Sequence, residues 1–255
     1  MSTRQKYLYR IKIVFILTIC FSVFASDNEK GKREIEQAVL IQKAGKDYKD
    51  IFMHYKPPMG RDLPVNREGI GTRGTKDNKN IYLAVLVPNH LALTTKSQPS
   101  LFWYLSQPVS SRIELTINDE ESVEPVLEKS LDKRDKYGIQ HIGLSDYNIS
   151  LKQGVEYQWF VTIVPDPEQR SKDITAMGML KYIEPSKEIE DKLAKARGIE
   201  IPATYAEEGL WYDALTALCE LINKNPDDKA LCNERIFLLE QIGLRTVADA
   251  EKENL

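Results

Sequence analysis

Apolar positions along this chain change their spacing three times. Residues 4–12 hold Arg4, Lys6, Arg10 and Lys12 and no acid. A mostly apolar run, Ile13–Phe24, follows, then Ala25, and the chain turns polar at Ser26-Asp27-Asn28-Glu29-Lys30. The run is shorter than the ~20 residues of a membrane-spanning helix. A basic stretch, a short apolar run and a small residue at the junction describe a secretory signal peptide over residues 1–25. Leu17-Thr18-Ile19-Cys20 loosely resembles a lipobox, yet Ile19 is bulky and the apolar run continues past Cys20.

Residues 81–184 read as β. Ile81–Val87 is apolar on both faces and stops at Pro88, and Leu101–Leu105 is similar between Pro99 and Pro108. Arg112–Asn118 alternates, with Ile113, Leu115 and Ile117 on one face. Gly138–Leu144 is a weaker strand. Val155–Val164 places Val155, Tyr157, Trp159, Val161 and Ile163 on one face, and Asp173–Ile183 completes the set. Alternation marks half-buried strands, and short strands separated by turns suggest a sandwich or barrel. No helical pattern intervenes, which argues against a parallel α/β sheet. The Leu151–Gly154 turn before Tyr157 is of the kind seen in immunoglobulin- and fibronectin-like antiparallel sandwiches, by fold analogy.

Residues 185–255 switch to a helical period. Ser186 caps a helix through Ile189, Leu193 and Ala196, with Gly198 past its end. Pro202 opens a second helix. Leu210–Ile222 carries a wide apolar face, and a turn at Asn225–Asp228 leads to a last helix ending at Gly243. Gly209-x-Trp211-Tyr212-Asp213-Ala214 with Asn225-Pro226 resembles one tetratricopeptide-like hairpin. A repeat array needs about three units, so a small helical appendage on the sandwich is the expectation. Residues 26–80 hold a charged segment, then a Pro/Gly/Arg-rich extended arm in which Arg67 and Arg73 are read as exposed.

Composition narrows the function. The 255 residues carry 35 Lys+Arg and 38 Asp+Glu, a net charge of -3. Removing residues 1–25 takes away four basic residues and leaves -7. No basic excess suits nucleic acid, and no membrane span is expected once the signal is removed. Gly69-x-Gly71-x-x-Gly74 matches a dinucleotide fingerprint in letters, but Pro/Arg-rich chain precedes it and a strand follows, the reverse of the required context. No cofactor or metal is expected. Asp119-Glu120-Glu121 with Glu124 lacks the glycine and ligand spacing of a calcium loop and reads as a solvated turn. His54, His90 and His141 stand beside no recognisable nucleophile, so no catalytic residue is assigned.

Two constellations remain. Asp166–Asp173, with Arg170 and Asp173, is either a recognition loop or an ion-paired latch, and Arg73 of the arm is a candidate for the same role. Cys219 and Cys232 flank Pro226 at similar distances in the helical hairpin. They are either a disulfide, as an oxidising compartment allows, or two buried small residues, which bridging geometry favours.

Several motifs together resemble a known family. They are Pro57-Pro58-x-Gly60-x-x-x-Pro64, Gly71-Thr72-Arg73-Gly74, Leu83–Pro88, Leu93-Thr94 and Pro99-x-x-Phe102-Trp103-Tyr104. Gly154-x-x-Tyr157-x-Trp159, Asp166-Pro167-x-x-Arg170-Ser171-x-Asp173 and Tyr205-Ala206-x-x-Gly209-x-Trp211-Tyr212-Asp213-Ala214-Leu215 follow. Over roughly residues 57–244 the chain resembles domain-of-unknown-function family 928. The resemblance implies exported bacterial proteins, with sandwich and helical tail belonging together, and implies no activity or cofactor. The expectation is an exported, non-catalytic binding module whose partners are envelope proteins or glycans. An envelope hydrolase with a dispersed site is the alternative.

Overall fold

Alternating apolar residues build two sheets in the computed structural model, which describes residues 52–58, 66–70, 81–131 and 137–255. The strands are β1 (Glu68–Ile70), β2 (Tyr82–Val85), β3 (Ala92–Thr94), β4 (Ser100–Leu105) and β5 (Arg112–Asp119). They continue with β6 (Leu127–Leu131), β7 (Gly138–Gly143), β8 (Glu156–Val164) and β9 (Ile174–Tyr182). One sheet has the order β1-β2-β4-β7 and the other β3-β9-β8-β5-β6. All pairings are antiparallel except β3 with β9, which is parallel. The expected all-antiparallel arrangement is corrected at that one edge. Three residues of β3, too short to show alternation, make the parallel pairing.

Register puts the core residues side by side. Ile113, Leu115 and Ile117 of β5 face Ile163, Val161 and Trp159 of β8, and all six are buried. On the other side of β8, Trp159 pairs with Gly178 of β9. A Cβ at Gly178 would lie 2.5 Å from the Trp159 indole nitrogen, so only glycine leaves the ring its place.

The arm expected before residue 81 is partly built into the sheets. The Val85 amide donates to Asn66's neighbour, the Arg67 carbonyl, at 2.9 Å. The Met177 amide donates to the Asn66 carbonyl, also at 2.9 Å. A Cβ at Gly69 would lie 2.8 Å from the Thr175 carbonyl oxygen. The segment from Asn66 into β1 therefore runs between β2 of one sheet and β9 of the other. Arg67 is not exposed as the sequence suggested. Its side chain is 14% accessible, and its Nη1 donates to the carbonyls of Ile242 (2.6 Å) and Val87 (3.3 Å).

Five helices follow: α1 (Lys187–Lys195), α2 (Glu200–Glu207), α3 (Trp211–Lys224), α4 (Lys229–Gln241) and α5 (Arg245–Glu253). The Ser186 hydroxyl accepts from the Ile189 amide at 3.3 Å, capping α1 as the sequence predicts. The Asp228 carboxylate accepts from the Ala230 amide at 3.0 Å and opens α4. Gly209 and Gly243 take positive φ between α2 and α3 and between α4 and α5. Helix α3 packs on β3 and β4. Two of its side chains fix that contact. Trp211 Nε1 donates to the Leu86 carbonyl at 2.8 Å. Tyr212 Oη accepts from Trp159 Nε1 at 2.8 Å and donates to the Met179 carbonyl at 3.0 Å. Residues 51–255 form one compact unit. Among the described residues no helix is long and apolar enough to cross a membrane.

Candidate functional site

The residues singled out from sequence fall in separate places. Arg170 lies in a single 3₁₀ turn before β9 and pairs with two carboxylates. Its Nη2 reaches Glu114 Oε2 at 2.8 Å and its Nε reaches Asp173 Oδ2 at 2.8 Å. Arg112 adds a second contact to Glu114 at 2.6 Å. The Arg170 guanidinium lowers the Glu114 carboxyl, while burial raises that of Asp173. Arg73, Gly71, Gly74 and the signal segment lie outside the described residues.

Cys219 and Cys232 are both free thiols, the first buried and the second half-buried. Cys219 Sγ receives Arg235 Nη1 at 3.8 Å, and Arg235 pairs with Glu251 of α5. Burial pushes the Cys219 thiol up despite the guanidinium. The acidic turn after β5 is organised by Asp119, which accepts from the Glu121 amide and the Ser122 hydroxyl, both at 3.1 Å. The three histidines meet different rings: His54 meets Phe237, His90 meets Tyr55 and His141 meets Phe102.

A cleft of about 390 Å³ opens where the β3–β4 connection meets α2 and α3. Lys96, Gln98, Tyr205, Asp213, Thr216 and Glu220 supply its polar lining. Asp213 anchors one wall. It is buried, and its oxygens accept from the Thr95 amide (2.8 Å) and the Thr95 hydroxyl (2.9 Å). Burial raises its carboxyl above the ordinary range, with those hydrogen bonds opposing. Both Asp213 oxygens are therefore committed to tying α3 to the end of β3.

A second surface already holds a ligand-like segment, and sequence reasoning missed it. Residues 52–58 have no regular secondary structure and lie across the helical region as a strap. Glu234 and Gln241, both on α4, hold its main chain. Glu234 Oε2 accepts from the Met53 amide at 2.9 Å. The Gln241 amide group donates to the Met53 carbonyl at 2.7 Å and accepts from the Tyr55 amide at 3.0 Å. One carboxamide thus offers the strap a donor and an acceptor, as a neighbouring strand would. Farther along, the Lys56 amide donates to the Ala206 carbonyl at 3.0 Å. A Cβ at Gly209 would lie 2.8 Å from the Lys56 carbonyl oxygen, so this glycine lets the strap close on the α2–α3 turn.

Side chains alternate along the strap. Met53 and Tyr55 are buried, whereas Phe52 is 65% exposed. The Tyr55 ring stands edge-on to Trp211, with centroids 5.0 Å apart, and stacks on His90 at 5.8 Å. Its hydroxyl lies 3.3 Å from His90 Nε2. Phe52 and His54 flank Phe237 with centroids at 6.3 and 5.9 Å. Burial raises the Glu234 carboxyl, with the Met53 amide opposing. The only sequence signal for this site was the short aromatic-rich run Phe52-Met53-His54-Tyr55 before Pro57-Pro58. Four residues do not separate a strap from any other stretch of extended chain.

No curated protein and no solved structure matches the chain. A family model described as Domain of Unknown Function (DUF928) matches residues 68–252, which takes in all nine strands and most of the helical region but not the strap. On that match, the chain belongs to the DUF928 family.

Proposed function

We propose that this protein is an exported, non-catalytic binding module whose helical region takes up extended polypeptide. One observation carries the proposal: the Glu234–Gln241 pair on α4 holds the main chain of residues 53–55 in an extended form. Recognition through main-chain groups with alternate side chains in pockets is how extended peptides are commonly bound. Export rests on the basic stretch and short apolar run of residues 1–25.

The scaffold we propose is an immunoglobulin-like sandwich carrying a tetratricopeptide-like helical tail. Two features support the sandwich reading. The order β3-β9-β8-β5-β6 with a parallel edge pair stands beside a second, antiparallel sheet. Near the start of β8, Tyr157 Oη accepts from the Lys152 amide at 2.8 Å. That bond has the form of the tyrosine corner of such domains. For the tail, the support is the Gly209–Ala214 motif and the peptide-like strap beside it.

The test uses the full chain carrying Met53→Ser and Tyr55→Ser, which loosens the strap. A fluorescent peptide of residues 52–58 is titrated into it, with circular dichroism to verify folding. The variant is expected to bind the peptide, and adding Glu234→Ala and Gln241→Ala to weaken binding. The wild type is expected to bind at least about ten-fold less tightly, because its tethered strap competes. A folded variant without saturable binding overturns the proposal. Should the variant not fold, the labelled peptide at higher protein concentration is titrated with the wild type and binding read by its fluorescence anisotropy.

A further inference from the structure

We propose that the cleft between the β3–β4 connection and helices α2 and α3 binds a neutral sugar residue, free or at the end of a glycan. The cleft is lined by residues other than those that hold the strap, so the proposal does not rest on the peptide reading. Its volume of about 390 Å³ falls within the ~300–1,000 Å³ of small-ligand pockets.

Both walls are set before any ligand arrives. On α3, positions 213, 216, 217 and 220 recur at three- and four-residue spacing and so share one face. Asp213 is buried on that face, Thr216 and Ala217 are half-buried, and Glu220 is exposed. The small side chains of Thr216 and Ala217 leave the hollow open. The facing connection is tied down along its length. Asp213 holds Thr95, and the Lys96 amide donates to Thr94 Oγ1 at 3.1 Å. Gln98 Nε2 donates to the Ile149 carbonyl at 3.2 Å, and the Leu151 amide donates to the Ser97 carbonyl at 2.7 Å. A loop already ordered loses little further entropy on binding.

The groups left over by this anchoring carry the recognition. The Lys96 ammonium, the Tyr205 and Thr216 hydroxyls and Gln98 Oε1 have no hydrogen-bond partner among the described residues. Glu220 has only a 3.9 Å ion pair with Lys224, both side chains largely exposed. Burial and the carboxylates of Asp213 and Glu220 raise the Tyr205 hydroxyl, which keeps it a donor. Donors and acceptors therefore face one space, and neighbouring sugar hydroxyls, each able to donate and accept, match such a mixed set. The C–H face of the ring finds Ile201, Ala217 and the body of Tyr205. An anion meets one cation, Lys96, against the carboxyls of Asp213 and Glu220. A cation gains little, because Thr95 takes both Asp213 oxygens and solvent screens Glu220 at the rim.

The test titrates the isotopically labelled full chain with D-glucose, D-galactose, D-mannose and N-acetyl-D-glucosamine, and with glucuronate and glucosamine as charged probes. Saturable amide shifts centred on residues 94–100 and 213–220 are expected with at least one neutral sugar. Affinity should be about millimolar, as suits a ligand of so few atoms. Lys96→Met with Glu220→Gln should weaken binding about ten-fold or more, as loss of charged hydrogen bonds does. Ala217→Trp, which fills the hollow, should abolish it, with circular dichroism verifying the fold. The double variant changes exposed side chains only and carries the test if Ala217→Trp does not fold. Absence of saturation by all four neutral sugars overturns the proposal, as does undiminished binding by the double variant. Tighter binding of glucuronate or glucosamine than of every neutral sugar also overturns it, because the cleft then selects charge. Shifts centred on Glu234 and Gln241 instead would place the sugar at the strap and overturn it as well.

Discussion

Gly178 and Trp159 show how one missing methyl group decides the position of a core side chain. The indole occupies the space where a Cβ at position 178 would stand, and from there its N–H reaches Tyr212 of α3. Gly178→Ala must move either the ring or the strand, and the hydrogen bond to the helix moves with it. The expected loss is about 3 kcal/mol, typical of overpacking a tight core, measured by urea denaturation. Asp213 acts on stability through protonation. A carboxyl raised by burial binds more protons folded than unfolded. Its contribution is therefore complete below the unfolded value and is lost as pH rises through the folded one. The wild type should lose stability relative to Asp213→Asn as pH climbs from about 4, the ordinary aspartate value. Parallel stability curves for the two proteins through that range would contradict the assignment. Neither role was legible in the sequence. Gly178 sits inside an apolar run without any turn signal, and Asp213 reads as an ordinary acid in the first turn of a helix.

At the scale of elements, sequence pattern succeeded where an element was long enough to show its period. Strands β5 and β8, at eight and nine residues, were legible by alternation. Helices α1 and α3 were legible by cap and apolar face. Strands β1 and β3 have three residues each, and β6 has three exposed residues at its centre, so none carries an alternating pattern. Helix α5 was missed because Gly243 ends α4 where an apolar-face reading also stops, and within the nine residues of α5 only Val247 and Ala248 are buried. Arg67 links elements that the sequence gives no reason to join. It bonds the carbonyl of Val87, just past β2, to that of Ile242 at the C-terminal end of α4. An arginine so placed also meets the negative end of the helix dipole. Arg67→Met keeps the aliphatic length and removes the donors. It should cost about 1.5–3 kcal/mol, as loss of charged hydrogen bonds does. Hydrogen exchange should locate the damage, with protection falling in residues 242–253 and holding in β5 and β8. Uniform loss across both regions would show that Arg67 does not act at this junction.

For the molecule as a whole, the order of elements was largely readable and their joining was not. A β region followed by helices is what the change of period indicated. The contacts that unite them come from single side chains: Trp211 on the Leu86 carbonyl, Tyr212 on Trp159, and Arg67 on α4. Aromatic residues at the start of α3 hinted at that packing. The strap gave no comparable hint, because its partners lie near the opposite end of the chain. Binding was the functional expectation, and the strap's seat on α4 is the surface on which we propose it.

The separation of strap and groove along the chain also sets an order of events. Residues 52–58 leave the ribosome long before Glu234 and Gln241 exist as a helix face. Contacts of such long range close the largest loops and are slow to form. The strap therefore docks late, after α4 has been made and folded, and a nascent chain carries Met53 and Tyr55 uncovered until then. A chain that ends before α4 never covers them, so each incomplete copy keeps an apolar Met and Tyr exposed.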